Sequence, residues 1–149
     1  MPKNKKGRSG KKSPVESSAA YDIHMSEQAQ KAYQGYFERA EAAKAKGETS
    51  SSHITALNMI DDVIENVIPR DPFNRRYALT GKLGQLFRMK KGRLRICWMG
   101  SSVRKKVYIA FISETLRKEG DINDPYRLLT NMLLSGEFDV IFEELGLTP

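Results

Sequence analysis

The chain has 149 residues, 25 Lys and Arg against 18 Asp and Glu, 40% apolar residues and one cysteine. That length suits one domain with a real core, and a lone cysteine excludes an internal disulfide or a Cys-rich metal site. No apolar run approaches the roughly 18 residues of a spanning helix and no apolar signal segment follows the basic start, so the sequence reads as soluble and cytoplasmic, with no membrane partner.

The net charge of +7 is unevenly placed. Residues 1–13 carry six cations and no acid, residues 14–69 sum to −5, residues 70–106 to +11 with Asp71 as the lone acid, and residues 107–149 to −5. Cations gathered in a tail and one stretch between acidic flanks point to a localised polyanion site, with nucleic acid as the leading partner and a solvated basic face as the alternative.

In chain order, residues 1–18 are Lys, Gly, Ser and Pro with little to bury, which predicts a disordered basic tail ahead of one domain over residues 19–149. Ala19–Met25 reads as a short strand with Tyr21 and Ile23 on one face. Ser26 is placed to cap a helix with Glu27 in its first turn, running to about Lys46 and ended by Gly47. A second helix starts near Ser52 or His53. Its Ile54, Leu57, Ile60, Ile64, Val67 and Ile68 recur at helical spacing, with Asp61, Asp62 and Glu65 mostly off that stripe, and Pro69 and Pro72 end it.

The period then changes. Leu86–Lys91, Arg93–Met99 and Val107–Ile112 read as three strands of an antiparallel meander. Asp124 and Pro125 open a helix through Leu128, Leu129, Met132 and Leu133, Gly136 breaks it, and Phe138, Ile141, Phe142 and Leu145 make a last amphipathic segment. The order of elements predicts an α+β domain.

The informative piece is LFRMKKGRLRICWM, Leu86–Met99. With Lys91-Gly92 as a two-residue turn, Lys90 would face Arg93, Met89 Leu94, Arg88 Arg95, and Phe87 Ile96. Phe87, Met89, Leu94, Ile96 and Trp98 would then form an apolar face, and Arg88, Lys90, Arg93 and Arg95 a cationic one. Like charges directly opposite cost roughly 0.2–1 kcal/mol per pair, and no acid lies between Pro72 and Ile112 to offset them. A phosphate would turn that repulsion into attraction.

Other chemistries find little support. His24 and His53 lie outside the basic stretch, no HExxH or CxxC spacing occurs, and the glycines and lysine of GKLG do not form a phosphate loop. RNA supplies its own nucleophile: attack by its 2′-hydroxyl needs a base, stabilisation of the phosphorane and help for the leaving oxygen. Lysine and arginine suffice for the first two, whereas arginine is a weak acid for the third.

Three segments carry a resemblance to the RelE superfamily of bacterial toxins, and within it to the YhaV-type branch. They are IPRDPFNRRYALTGKLG (Ile68–Gly84), FRMKKGRLRICW (Phe87–Trp98) and TLRKEGDINDPYRLLTNMLLSGEF (Thr115–Phe138), within a match from about Tyr21 to Leu147. The resemblance implies a RelE-like α+β fold, with an N-terminal strand and two helices packed on an antiparallel sheet and helices at the C-terminus. It implies a toxin neutralised by a cognate antitoxin, and an endoribonuclease that cuts mRNA, often on the ribosome, without metal or other cofactor.

Carried over by position, Lys90 is the base, Arg88 and Arg95 stabilise the phosphorane, and Arg117 assists the leaving oxygen. Lys91, Arg93, Arg104, Lys105, Lys106 and Lys118 would bind the RNA. The sequence departs from the family pattern at Arg88 (a lysine there), in a shorter hairpin turn, in Ser113-Glu114 for an acid–amide pair, and in having no tyrosine soon after Arg117. Tyr126 reads as a core or surface packing residue, with base stacking as the alternative. A noncatalytic RNA or ribosome binder, or a gyrase inhibitor, is the alternative on the same fold. The basic start and GRLRICWMGSSVRKKVYI are also similar to an OB-fold translation initiation factor, a barrel with no place for the helix at Ile54–Ile68.

Overall fold

The computed structural model describes residues 21–113 and 125–148. The elements are β1 (Asp22–Met25), α1 (Glu27–Ala45), α2 (Ser52–Asp62), β2 (Phe87–Lys91), β3 (Leu94–Ser101), β4 (Lys106–Ile112), α3 (Pro125–Leu134) and α4 (Asp139–Leu145). α2 runs on through a wide π turn at Val63–Val67 into a last turn at Ile68–Arg70, and short 3-10 turns at Arg75–Tyr77 and Gly81–Leu83 lead to the sheet.

The strands form one sheet in the order β1-β4-β3-β2. β2, β3 and β4 make the expected antiparallel meander. β1 joins β4 in parallel, with Asp22 opposite Lys106 and Met25 opposite Ile109, so the sheet is mixed. Such a pairing requires a long crossover between strands, which α1 and α2 begin.

Ser26 caps α1 as the sequence predicts, its Oγ accepting from the Ala29 N–H at 3.0 Å while its hydroxyl donates to the Ala110 carbonyl at 2.8 Å. One residue pair further on, the Gln28 amide donates to the Ile112 carbonyl at 2.7 Å and accepts from the Ile112 N–H at 3.0 Å. These contacts set the first turn of α1 against the end of β4. The buried face of α1 is Ala29, Ala32, Tyr36, Ala40 and Ala43, mostly small side chains that let α2 approach closely.

α2 buries Ile54, Leu57, Ile60 and Ile68 as expected, but Val63 is also fully buried while Ile64 and Val67 are only partly so. The wide turn explains the difference, because an extra residue per turn rotates the apolar face. It stands immediately ahead of Pro69, whose ring would crowd the carbonyl of Glu65 in a regular α-helix.

The sheet separates two cores. α1 and α2 cover one side with Leu94, Ile96, Trp98, Val107, Ile109 and Ile112, and the Trp98 indole N–H donates to the Pro72 carbonyl at 2.8 Å. On the other side Leu86, Cys97, Met99, Ala110 and Phe111 pack on Leu129, Met132, Phe138, Ile141, Phe142 and Leu145 of the C-terminal helices and the turn between them. A bulge explains why neighbours Ala110 and Phe111 share that side: Cys97 pairs with Phe111, and Trp98 with Ile109, leaving Ala110 extra.

Asp61 departs from the exposed position that its place off the apolar stripe predicts. It is half-buried against α1 and accepts a hydrogen bond from the Tyr33 hydroxyl at 2.8 Å. Burial pushes its carboxyl above the ordinary value, opposed by the Tyr33 hydrogen bond and by Lys44. A carboxyl whose folded value is raised contributes stability that is fully present below its unfolded value and lost as pH rises through the folded one. Asp61→Asn, which keeps the acceptor for Tyr33 and removes the buried charge, is therefore expected to hold or raise the urea midpoint near neutral pH. That advantage should shrink as pH falls through the carboxylate range, and a midpoint lowered most at neutral pH would show that the charge stabilises the fold.

Candidate functional site

The β2–β3 hairpin turns at Gly92-Arg93, one residue beyond the expected Lys91-Gly92. Gly92 has φ of 59° and Arg93 is not among the positive-φ residues, the pattern of a type II′ turn with glycine first. A lysine at that first position would be strained, so the glycine captures it. The pairs become Phe87–Trp98, Arg88–Cys97, Met89–Ile96, Lys90–Arg95 and Lys91–Leu94. Each paired residue keeps its expected face, because the partner moves by two, but Arg93 leaves the cationic face for the turn, and only Lys90 and Arg95 are directly opposed cations. Arg88 faces Cys97, with Arg95 on the diagonal.

Arg95 is anchored through its backbone. Its N–H donates to the Ser113 Oγ at 3.0 Å, and its carbonyl accepts from the Ser113 N–H at 3.0 Å. Ser113 is itself buried, and its carbonyl accepts from the Tyr36 hydroxyl of α1 at 2.7 Å. The Arg95 guanidinium turns back on the loop, Nη1 donating to the Gly92 carbonyl at 2.7 Å and the Leu94 carbonyl at 3.1 Å. Arg88 donates through Nη1 to the Tyr126 hydroxyl and lies 5.6 Å from that ring's centroid. Tyr126, at the start of α3, thus belongs to the site, a contact that sequence spacing does not reveal.

Lys90 and Arg93 are exposed. Among the described residues, none of Arg88, Lys90, Arg93 and Arg95 forms an ion pair with a carboxylate. Beneath them the Cys97 thiol is buried and pushed up to about 12, because burial outweighs the lowering influence of Arg88 and Arg95. It stays a thiol near neutral pH and is no nucleophile.

The other candidate residues are not gathered here. Lys91 points to the side covered by α1 and α2, where it lines a groove with Ser52, Thr55, Met59, Arg93 and Leu94. Arg104, Lys105 and Lys106 lie at the opposite end of β3, about 20 Å from Arg95 at roughly 3.3 Å per residue. There Arg104 Nη1 donates to the Glu144 carbonyl at 2.8 Å, Lys106 Nζ is 3.6 Å from Glu144 Oε1, and Lys105 Nζ is 5.4 Å from the Tyr21 ring centroid. Arg117 and Lys118 fall outside the described residues, as do the residue 1–18 tail and Asp124. His24 stacks on Tyr108 at 5.0 Å on the far strands of the sheet, and His53 faces Tyr36 at 6.5 Å.

Among the described residues no cluster of three or more His, Cys, Asp and Glu is placed to hold a metal ion, and no helix is long and apolar enough to cross a membrane. The fold and site define an α+β protein that presents a cationic hairpin with no carboxylate partner among the described residues. Residues 21–146 match the YhaV toxin family, described as toxins with endonuclease activity of toxin–antitoxin systems, and the chain belongs to that family. It is therefore the toxin of such a pair, an endonuclease whose partner is an antitoxin.

Two solved structures are similar to the chain. The RelBE toxin–antitoxin complex of Mycobacterium tuberculosis is 13% identical, with 66% of this chain and 94% of that one covered and a TM-score of 0.46. The isolated RelE toxin of Escherichia coli is 15% identical, with 73% and 99% covered and a TM-score of 0.47. No curated protein matches the chain.

Ser113 ties the cationic strand to α1, so Ser113→Ala, which strips the acceptor from the Arg95 N–H, is expected to cost about 1–3 kcal/mol in urea unfolding. The Arg95 amide should then exchange faster than in the parent protein. An unchanged exchange rate would show that the hydroxyl does not hold the strand.

Proposed function

We propose that this endonuclease cuts RNA, messenger RNA in the cytoplasm, by metal-independent attack of the substrate's own 2′-hydroxyl. The observation that carries the reading is the Lys90–Arg95 pair with Arg88 on the diagonal, cations on one sheet face with no carboxylate partner among the described residues. Such a face costs stability in isolation and gains it from a phosphodiester.

In the reaction, Lys90 acts from its neutral amine form, and its Nζ takes the proton from the 2′-hydroxyl as the 2′-oxygen bonds to phosphorus. The bond to the 5′-oxygen breaks, and that oxygen takes a proton from water, which leaves a 2′,3′-cyclic phosphate and a 5′-hydroxyl. Arg88 and Arg95 donate to the non-bridging oxygens as the phosphorane develops, a role for fixed charges aimed at the transition state. Nη1 of Arg95 is committed to the loop carbonyls, which leaves Nη2 for the phosphate. Arg117 assists the departing oxygen, and Arg93 and Lys118 guide the strand. A ribosome that aligns the RNA would compensate for the weak acidity of arginine. The antitoxin silences the protein by covering the cationic face with acidic or amphipathic chain.

Lys90→Arg separates an amine that must accept a proton from a charge that merely binds. Cleavage is expected to fall about 10²–10⁴-fold while RNA affinity is retained, with a log–log salt slope of about −0.7 per phosphate neutralised. Full cleavage by Lys90→Arg would remove Lys90 from the chemistry, and a flat salt response would contradict phosphate binding altogether.

A further inference from the structure

The cationic surface continues across the sheet edge. Arg104, Lys105 and Lys106 are engaged with α4 and Tyr21 at the far end of β3. β2 is an outermost strand, and among the described residues its outer side is flanked by one bridge, Ala78 to Phe87, with the Leu79 N–H donating to the Leu86 carbonyl at 3.0 Å. That bridge sets the Arg75–Tyr77 turn beside the strand that carries Arg88. Arg70, Arg75 and Arg76 are exposed, and none has an ion-pair partner among the described residues.

Next to this turn a groove of about 700 Å³ opens between the end of α2 and the turn, lined by Asp62, Asn66, Arg70, Asp71, Asn74, Arg76 and Tyr77. Its volume falls in the range of sites that hold a small ligand. Tyr77 is held by an edge contact with Trp98, centroids 5.6 Å apart, and the Arg76 guanidinium lies 5.0 Å over its ring. Arg76 also donates from Nη2 to the Tyr77 hydroxyl at 3.1 Å and from its backbone N–H to Asn74 Oδ1 at 3.0 Å. Asn74 Nδ2 in turn donates to Asp71 Oδ2 at 3.1 Å.

This chemistry differs from that of the cleavage face. Two carboxylates beside the arginines, Asp62 and Asp71, disfavour a bare phosphate, whereas the edge of a nucleobase carries donors and acceptors together. An arginine–aromatic plane with polar groups of both kinds at its rim is the arrangement that receives an unstacked base of single-stranded RNA. We propose that this groove binds a nucleobase flanking the cleaved bond, so that the RNA passes over the β2 edge, and that the groove contributes to the choice of cleavage site. The proposal rests on RNA being the substrate.

The test uses the full chain. Cuts in a defined messenger RNA are mapped first. A short RNA spanning the strongest cut is then made with 4-thiouridine or 6-thioguanosine at each position in turn, irradiated with the protein, and the attached peptide identified. A flanking position is expected to attach to residues 70–77, and Arg70→Ala with Arg76→Ala should abolish that product. The same double variant should erode the preference for the strongest site about tenfold, as for loss of one stacked base. Normal cutting by the parent protein with attachment only to other segments, or with an unchanged site preference in the double variant, would overturn the groove and leave the nuclease reading intact. Neither cutting nor attachment by the parent protein would overturn both.

Discussion

Strand β3 is buried on both faces, and the placement of every candidate residue follows from that. Ile96 and Trp98 enter the core under α1 and α2, while Cys97 and Met99 enter the core under α3 and α4, all with no exposed surface. A slip of one residue would exchange these sets and leave neither core filled, so register is strongly specified. The glycine of the II′ turn then decides which β2 residue faces which on β3. Ser113 fastens the Arg95 end through both backbone groups of that residue. The cations are held by a frame whose stability comes from apolar packing elsewhere.

That division of labour explains how the protein tolerates its charge. Opposing Lys90 to Arg95 costs roughly 0.2–1 kcal/mol, little beside roughly 1.5–3 kcal/mol for each large apolar side chain fully buried. The buried Cys97 and its neighbours put a low-dielectric floor beneath the cations, which strengthens their attraction for an incoming anion. Two of the arginines have internal partners, the Tyr126 hydroxyl for Arg88 and the loop carbonyls for Arg95. Both bonds orient a guanidinium without neutralising it.

Much of this was legible from residue order. Ser26 before an Ala-rich run gave the start of α1, the Ile54–Ile60 spacing gave the buried side of α2, and alternation gave the two faces of the hairpin, which survived a wrong turn position. What escaped depends on long-range contacts. The second core was hidden because Ile96, Cys97, Trp98 and Met99 are all apolar, so no polar side marks a solvent face there, and because the helices that cover it come from the end of the chain. The parallel pairing of β1 is decided by the crossover, not by its own residues. Adjacency in sequence groups cations that the fold parts: Lys91 points away from Lys90, and the β3–β4 turn carries Arg104–Lys106 to the opposite end of the sheet. Tyr126 gave no local signal, since its contact with Arg88 spans two elements.

The central claim is that a face of lysine and arginine cuts RNA with the substrate's own 2′-hydroxyl. The most direct measurement incubates the full chain with a defined messenger RNA in EDTA, alone and on programmed ribosomes, and determines the chemistry of the new ends. The proposed reaction leaves 2′,3′-cyclic phosphate on one fragment and 5′-hydroxyl on the other, in at least one of the two settings. Fragments ending in 3′-hydroxyl and 5′-phosphate, or cutting that appears only when a divalent metal is restored, would contradict it.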